Sequence, residues 1–169
     1  IEQAVSMVNY IMRLKGDKEA TNILQFHWEE SLTPPENHPY LEIEQPGLNM
    51  YRWLEVTYDG EGLGLISEGE TVTVTGHSLG GHLATLAMRI FPNLFDSAYT
   101  FNAPGFDPVS SKNLTDEFVD LFRQYPMLPP ADSFQSVQDR LYVIESEDSA
   151  PGDDKSLVSS FITGGAPKA

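Results

Sequence analysis

The chain has 169 residues, 25 of them acidic and 10 basic, and its formal net charge at pH 7 is −15. This length fits one domain with a buried core, and so acidic a surface disfavours nucleic acid and anionic membranes as partners. Because the chain has no cysteine, it has no disulfide framework, thiolate nucleophile or cysteine-based metal site.

The ends of the sequence suggest a longer protein. The first residues, Ile1-Glu2-Gln3-Ala4, lack the basic region and the initiator methionine of a signal peptide, and we expect them to follow a cut inside a larger chain. No apolar run reaches the length of a transmembrane helix. The acidic, cysteine-free composition suits a secreted or extracellular protein.

The first predicted element is a helix over residues 1–14, whose apolar residues recur with the spacing of one helical face. Residues 17–70 give a much weaker signal, with a short predicted strand over 23–28 and no clean period over 48–57. A long irregular stretch is usually a functional loop or an insertion, so residues 17–60 are a candidate insertion or lid. Four aromatic residues there are either lid contacts or core: Phe26, Trp28, Tyr51 and Trp53.

The most informative stretch runs from a β-branched strand, Val72-Thr73-Val74-Thr75, through Gly76-His77-Ser78-Leu79-Gly80 into an apolar helix. G-x-S-x-G between a strand and a helix predicts a nucleophile elbow. Ser78 would occupy a strained turn that exposes its hydroxyl, and the Leu79 N–H would face a developing oxyanion. We expect Gly76 and Gly80 to remove Cβ atoms that would collide there, and Gly81 to allow close helix packing.

The elements after the elbow indicate an α/β fold. Strands are predicted over 97–101 and 140–144, with a helix over 114–122 between them. This alternation is typical of parallel βαβ units, so we expect a mostly parallel sheet flanked by helices. Active sites of such sheets lie beyond the carboxyl ends of the strands. Ser78, Asn102 and Asp148 all follow strands directly or closely, and are therefore expected to share a site.

A serine nucleophile needs a base and an orienting acid. Asp148 is the favoured acid because it follows a predicted buried strand by a few residues, and Asp132 and Asp153 are the alternatives. The other acids downstream of the serine are interpreted as surface charge: Asp107, Asp116, Asp120, Asp139 and Asp154.

The base is harder to assign, because no histidine follows Asp148. His77, inside the elbow, and His82, on the following helix, are interpreted as structural. His27 and His38 lie in the weakly patterned region and are the remaining alternatives. We expect the catalytic histidine to lie beyond Ala169, and the strand and loop of the second oxyanion donor to precede Ile1.

The elbow together with Tyr99-Thr100-Phe101-Asn102-Ala103-Pro104-Gly105 and Asp148-Ser149-Ala150-Pro151 resembles the class 3 (fungal-type) lipases. The variety that it resembles is the secreted bacterial lipase or phospholipase A1-like domain. The resemblance implies an α/β-hydrolase fold, here a single partial domain over 1–169, truncated at both ends. It also implies hydrolysis of acyl lipid esters with Ser78 as nucleophile, Asp148 as acid and the Leu79 N–H as oxyanion donor.

The departures from the family's pattern have consequences. Without the final histidine and the oxyanion strand, this stretch alone should be inactive or nearly so. No cofactor is predicted, and Ca²⁺ does not follow from these residues. The expected partner is a lipid or ester substrate, with transient contact at a lipid interface. The alternatives are another acyl hydrolase, such as a thioesterase or peptidase, and a non-catalytic module that retains an elbow-like turn.

Overall fold

The computed structural model describes residues 2–16, 24–58, 61–104, 114–125 and 134–145. Its helices are α1 Glu2–Lys15, α2 Leu79–Ile90, α3 Leu114–Arg123 and α4 Phe134–Val137. Its strands are β1 Leu24–Ser31, β2 Tyr40–Gln45, β3 Leu48–Tyr58, β4 Val72–His77, β5 Phe95–Phe101 and β6 Leu141–Ile144. The chain divides into two compact units: Ile1–Glu70 with Asp116–Pro129, and Thr71–Thr115 with Pro130–Ala169.

The first unit contains an antiparallel sheet in the order β1-β3-β2. The turn between β2 and β3 is Pro46-Gly47, and Gly47 has a φ of 81°, a left-handed conformation that glycine adopts without steric cost. In the register, Phe26 lies opposite Val56 and Trp28 opposite Leu54. The short strand predicted over 23–28 is found as β1, whereas the expectation of little regular structure elsewhere over 17–70 was wrong for β2 and β3.

Helices α1 and α3 pack against apolar side chains of that sheet. The predicted stripe of α1 is confirmed, since Ala4, Val5, Val8 and Ile11 are buried. Phe122 of α3 lies 5.6 Å from Phe26 between ring centroids. The remaining members of this core are Leu54, Phe118, Val119, Leu121 and Tyr125.

Polar side chains also tie this unit together. The Asn9 amide on α1 bonds with the Phe26 backbone on β1 in both directions, donating to its carbonyl at 3.2 Å and accepting from its N–H at 2.7 Å. The Tyr125 hydroxyl donates to the Leu54 carbonyl. Arg52 pairs with Glu30 and lies over the Trp28 ring.

The second unit contains the predicted parallel sheet, in the order β4-β5-β6. Helix α2 packs on β4 and β5 and buries an apolar side formed by Ala84, Leu86, Ala87, Met88 and Ile90. Arg140 donates to the carbonyls of Pro92 and Phe95 at 2.9 and 2.7 Å, which fixes the entry to β6. The predicted α/β class is thus found here, whereas the antiparallel sheet was not foreseen.

Candidate active site

Ser78 occupies the turn between β4 and α2 with a backbone that L-residues rarely adopt. Its φ is 52° and its ψ is −126°, a strained conformation for any residue with a Cβ. The side chain makes no capping hydrogen bond to α2, and the residue is exposed. The predicted sharp turn with an exposed serine is therefore confirmed.

The glycines around the serine differ in the space that a Cβ atom would have at each position. A Cβ on Gly76 would overlap the Gly80 carbonyl and lie 2.6 Å from the Gly81 nitrogen, and a Cβ on Gly81 would lie 2.6 Å from that of Ala103. The close approach expected at these two positions is confirmed. The same expectation for Gly80 was wrong, because a Cβ there would meet nothing within 4 Å.

The Leu79 N–H lies at the start of α2, where a helix has N–H groups without intrahelical partners and a partial positive charge. Two later amides of the same turn are engaged, since the N–H groups of Gly81 and His82 donate to the Ser78 carbonyl at 2.9 and 3.2 Å. This geometry is compatible with anion stabilisation next to the serine. The oxyanion role of Leu79 stays a prediction.

The carboxyl ends of the three parallel strands are joined by backbone hydrogen bonds. The Ser78 N–H donates to the Phe101 carbonyl and the Asn102 N–H donates to the Ile144 carbonyl, both at 2.9 Å. The structure thus brings Ser78 and Asn102 to neighbouring strand ends, as the sequence predicted. Asp148 follows Ile144 by four positions and lies outside the described residues, as do Asp132 and Asp153.

The four histidines fall into two groups. His27 on β1 and His38 in the loop before β2 belong to the first unit, and both are exposed. His77 is the last residue of β4 and is exposed. His82 lies in the first turns of α2, with its Nδ1 3.4 Å from the Pro104 carbonyl oxygen.

The electrostatics of His82 follow from its position. Burial lowers the pKa of the imidazole below its ordinary value, and the positive charge of Arg89 acts in the same direction. The ring is therefore neutral at pH 7, with one protonated nitrogen available as a donor.

One feature of this edge escaped prediction from the sequence. Asn102 has a φ of 45°, so the turn after β5, like the elbow, places a non-glycine residue at positive φ. The available signal was the residue type, because asparagine tolerates this conformation better than most residues.

In the described parts of the chain, no group of three or more His, Asp or Glu side chains could hold a metal ion. No helix in these described parts of the chain is long and apolar enough to cross a membrane.

A strand, a strained serine turn and a helix packed on a parallel sheet have the arrangement of the nucleophile elbow of α/β-hydrolases. The family model described as Lipase (class 3) matches residues 11–126, which include the elbow and the turn after β5. The chain belongs to the class 3 lipase family, whose fold is that of the α/β-hydrolases. Neither a curated protein nor a solved structure matched the chain.

Proposed function

We propose that this protein is a serine carboxylic ester hydrolase of the lipase or phospholipase class, with Ser78 as its nucleophile. The observation that carries the proposal is the strained backbone of Ser78 at the start of α2, where an exposed hydroxyl adjoins helix N–H groups. Membership of the class 3 lipases supports acyl ester hydrolysis as the reaction type.

In the proposed reaction the Ser78 hydroxyl oxygen attacks the ester carbonyl carbon while a base takes its proton. The oxyanion that develops accepts a hydrogen bond from the Leu79 N–H. The tetrahedral intermediate collapses with breakage of the acyl–oxygen bond, and the leaving alcohol receives the proton from the base. Water then attacks the acyl-serine by the same route, which releases the carboxylic acid and restores the hydroxyl.

We place the base on a histidine outside these 169 residues, oriented by Asp148. His77 is held in the strand, and the His82 ring is directed to Pro104, so neither is the preferred base. The reaction as written needs no cofactor. We further propose that the protein acts outside the cell and contacts lipid interfaces transiently.

Labelling by a fluorophosphonate tests the nucleophile directly, because an activated serine displaces fluoride and keeps the phosphonyl group. The probe is applied to the 169-residue chain and to the longest natural form of the protein, and the labelled peptide is identified by mass spectrometry. We expect the label on Ser78 in the longest natural form, little or none in the 169-residue chain that lacks the proposed base, and its loss in Ser78→Ala. The matched control is Ser67→Ala, since Ser67 is also exposed and uses its backbone N–H to bond Glu70.

Substrate class is tested on the same longest natural form. We expect hydrolysis of 4-nitrophenyl esters and of emulsified acylglycerols or phospholipids, all abolished in Ser78→Ala. Faster turnover of thioesters or peptides would replace the lipid proposal with another acyl hydrolase. No label on Ser78 in any form of the folded protein would favour a non-catalytic module.

A further inference from the structure

Two non-glycine residues in the described part of the chain have positive φ, Ser78 and Asn102. They occupy equivalent positions, since each directly follows the last residue of a parallel strand, and the last residues His77 and Phe101 are register partners. Neighbouring strands lie about 4.8 Å apart, so two strained turns adjoin at one edge of the sheet. Such strain persists only where the surroundings hold the backbone in place.

The turn after β5, residues 102–104, rests against the first turns of α2. Ala103 is so close to the helix that a Cβ on Gly81 would lie 2.6 Å from its own Cβ, and one on Gly81 would also lie 3.2 Å from Thr100 Cβ. A side chain from the same helix reaches the same turn, because His82 Nδ1 lies 3.4 Å from the Pro104 carbonyl oxygen. Its backbone N–H meanwhile donates to the Ser78 carbonyl at 3.2 Å. His82 therefore contacts the serine turn through its backbone and the Asn102 turn through its ring.

We propose that His82 is a positioning residue for the serine site: its imidazole holds the turn 102–104 against α2 and so keeps the two strained turns in register. The inference deepens the proposed function and rests on it for its kinetic consequence. The donor in this hydrogen bond is the His82 Nδ1–H, because the Pro104 carbonyl oxygen can only accept. Small displacements at a reacting centre lower the rate steeply, which gives a long, weak hydrogen bond kinetic importance beyond its contribution to stability.

Substitutions that keep or move the donor separate this role from simple packing. In His82→Asn the side-chain amide nitrogen can take the place of Nδ1, whereas in His82→Gln it extends toward the place of Nε2. We expect His82→Gln and His82→Ala to slow labelling of Ser78 and ester turnover on the order of tenfold through kcat, with KM unchanged. His82→Asn should stay within about twofold of the unaltered protein, because its donor reaches the same carbonyl.

The measurements are made on the longest natural form, with circular dichroism to establish that each variant folds. Equal losses in all three variants, or no loss in any, would overturn the inference. If His82→Ala fails to fold, the comparison of the asparagine and glutamine variants still decides, because both are polar and of similar size. Failure of the proposed function looks different, since Ser78 would then resist labelling in every version of the protein.

A second readout needs no activity. Nitrogen-15 NMR of the His82 ring at neutral pH should find the proton on Nδ1 and none on Nε2. Hydrogen exchange of the Asn102 amide, which donates to the Ile144 carbonyl at 2.9 Å, should quicken in His82→Gln and stay near the unaltered rate in His82→Asn. A proton on Nε2 instead, or an amide exchange rate that is unchanged in both variants, would contradict the placement of the imidazole. This test holds even if Ser78 does not react.

Discussion

The two units hold their sheets by different means. The antiparallel sheet has long strands, up to 11 residues in β3, and is secured by side chains such as Asn9 and Tyr125 that bond to strand backbone. The parallel sheet has strands of 4 to 7 residues and relies on the absence of side chains at Gly76 and Gly81. Both positive-φ non-glycine residues of the described chain fall in the second unit. The first unit is thus held by side-chain hydrogen bonds to strand backbone, whereas the second keeps positive-φ residues at the ends of its parallel strands.

The largest loss of stability should come from a large-to-small substitution in the core of the first unit. Phe122 is fully buried and packs on Phe26, so Phe122→Ala should lower the free energy of unfolding by about 4 kcal/mol. Denaturant unfolding followed by circular dichroism measures this loss. Tyr10→Ala is the matched control, since Tyr10 is 60% exposed on α1 and should cost less than about 0.5 kcal/mol. Equal losses at both positions would contradict the described core.

A single methyl group should disturb the second unit almost as much. Gly76→Ala places a Cβ against the Gly80 backbone, and the cost should be about 3 kcal/mol because backbone atoms must move. Gly80→Ala is the control four residues away, where the added methyl meets open space. It should be neutral or stabilising by up to about 0.5 kcal/mol. Similar behaviour of the two variants in thermal unfolding would refute the close approach of strand and helix.

Loss of the Asn9 amide should have a smaller effect. Asn9→Ala leaves the Phe26 N–H without its 2.7 Å partner, and we expect a loss of about 1–2 kcal/mol, partly offset by the helix propensity of alanine. Hydrogen exchange at the Phe26 amide should quicken accordingly. Asn49→Ala serves as the control, because the Asn49 bond to Glu42 is exposed. The prediction fails if removal of the exposed amide destabilises the protein as much.

The weakest predicted effects are the responses of the two units to pH, which should have opposite signs. Burial raises the pKa of Tyr125 to about 12 from an ordinary 10.0, so the folded state holds this proton more tightly than the unfolded state. Its contribution to stability is complete below the ordinary value and is lost as the pH rises toward 12. Burial lowers the pKa of His82 from 6.5. Its contribution is complete above 6.5 and is lost as the pH falls through the lowered value.

Difference measurements isolate each group. Between about pH 9.5 and pH 11.5 the unaltered protein should lose more stability than Tyr125→Phe, and between about pH 7.5 and pH 5 it should lose more than His82→Asn. Parallel pH profiles for protein and variant in either range would show that the group does not titrate differently on folding.

Local sequence was sufficient for the parallel sheet and its elbow. A β-branched run before G-x-S-x-G has few alternatives, and the strained Ser78 followed from the motif. Gly80 was misjudged because a motif fixes residue types but not the side of a helix that faces solvent. The base and Asp148 could not be settled from spacing, since such partners meet only through the tertiary fold.

The antiparallel sheet was missed because β3 carries large apolar residues on both faces. Leu54 is buried against the helices, and Tyr51 and Trp53 on the other face are half-buried, which removes the simple alternation of a one-sided strand. The turn Pro46-Gly47 between two β-rich runs was the available signal. A proline–glycine pair of this kind predicts a hairpin better than the periodicity of its strands did.

The placement of the two tryptophans has an optical consequence. Trp28 and Trp53 are the only tryptophans of the chain, and they lie on neighbouring strands of the antiparallel sheet, on opposite faces. Indole fluorescence therefore reports on the first unit alone. The second unit has a ring pair in Tyr99 and Tyr142, stacked at 4.7 Å, but the other five tyrosines of the chain belong to the first unit. Selective excitation of the tryptophans thus follows unfolding of the first unit in the natural chain, without any added label.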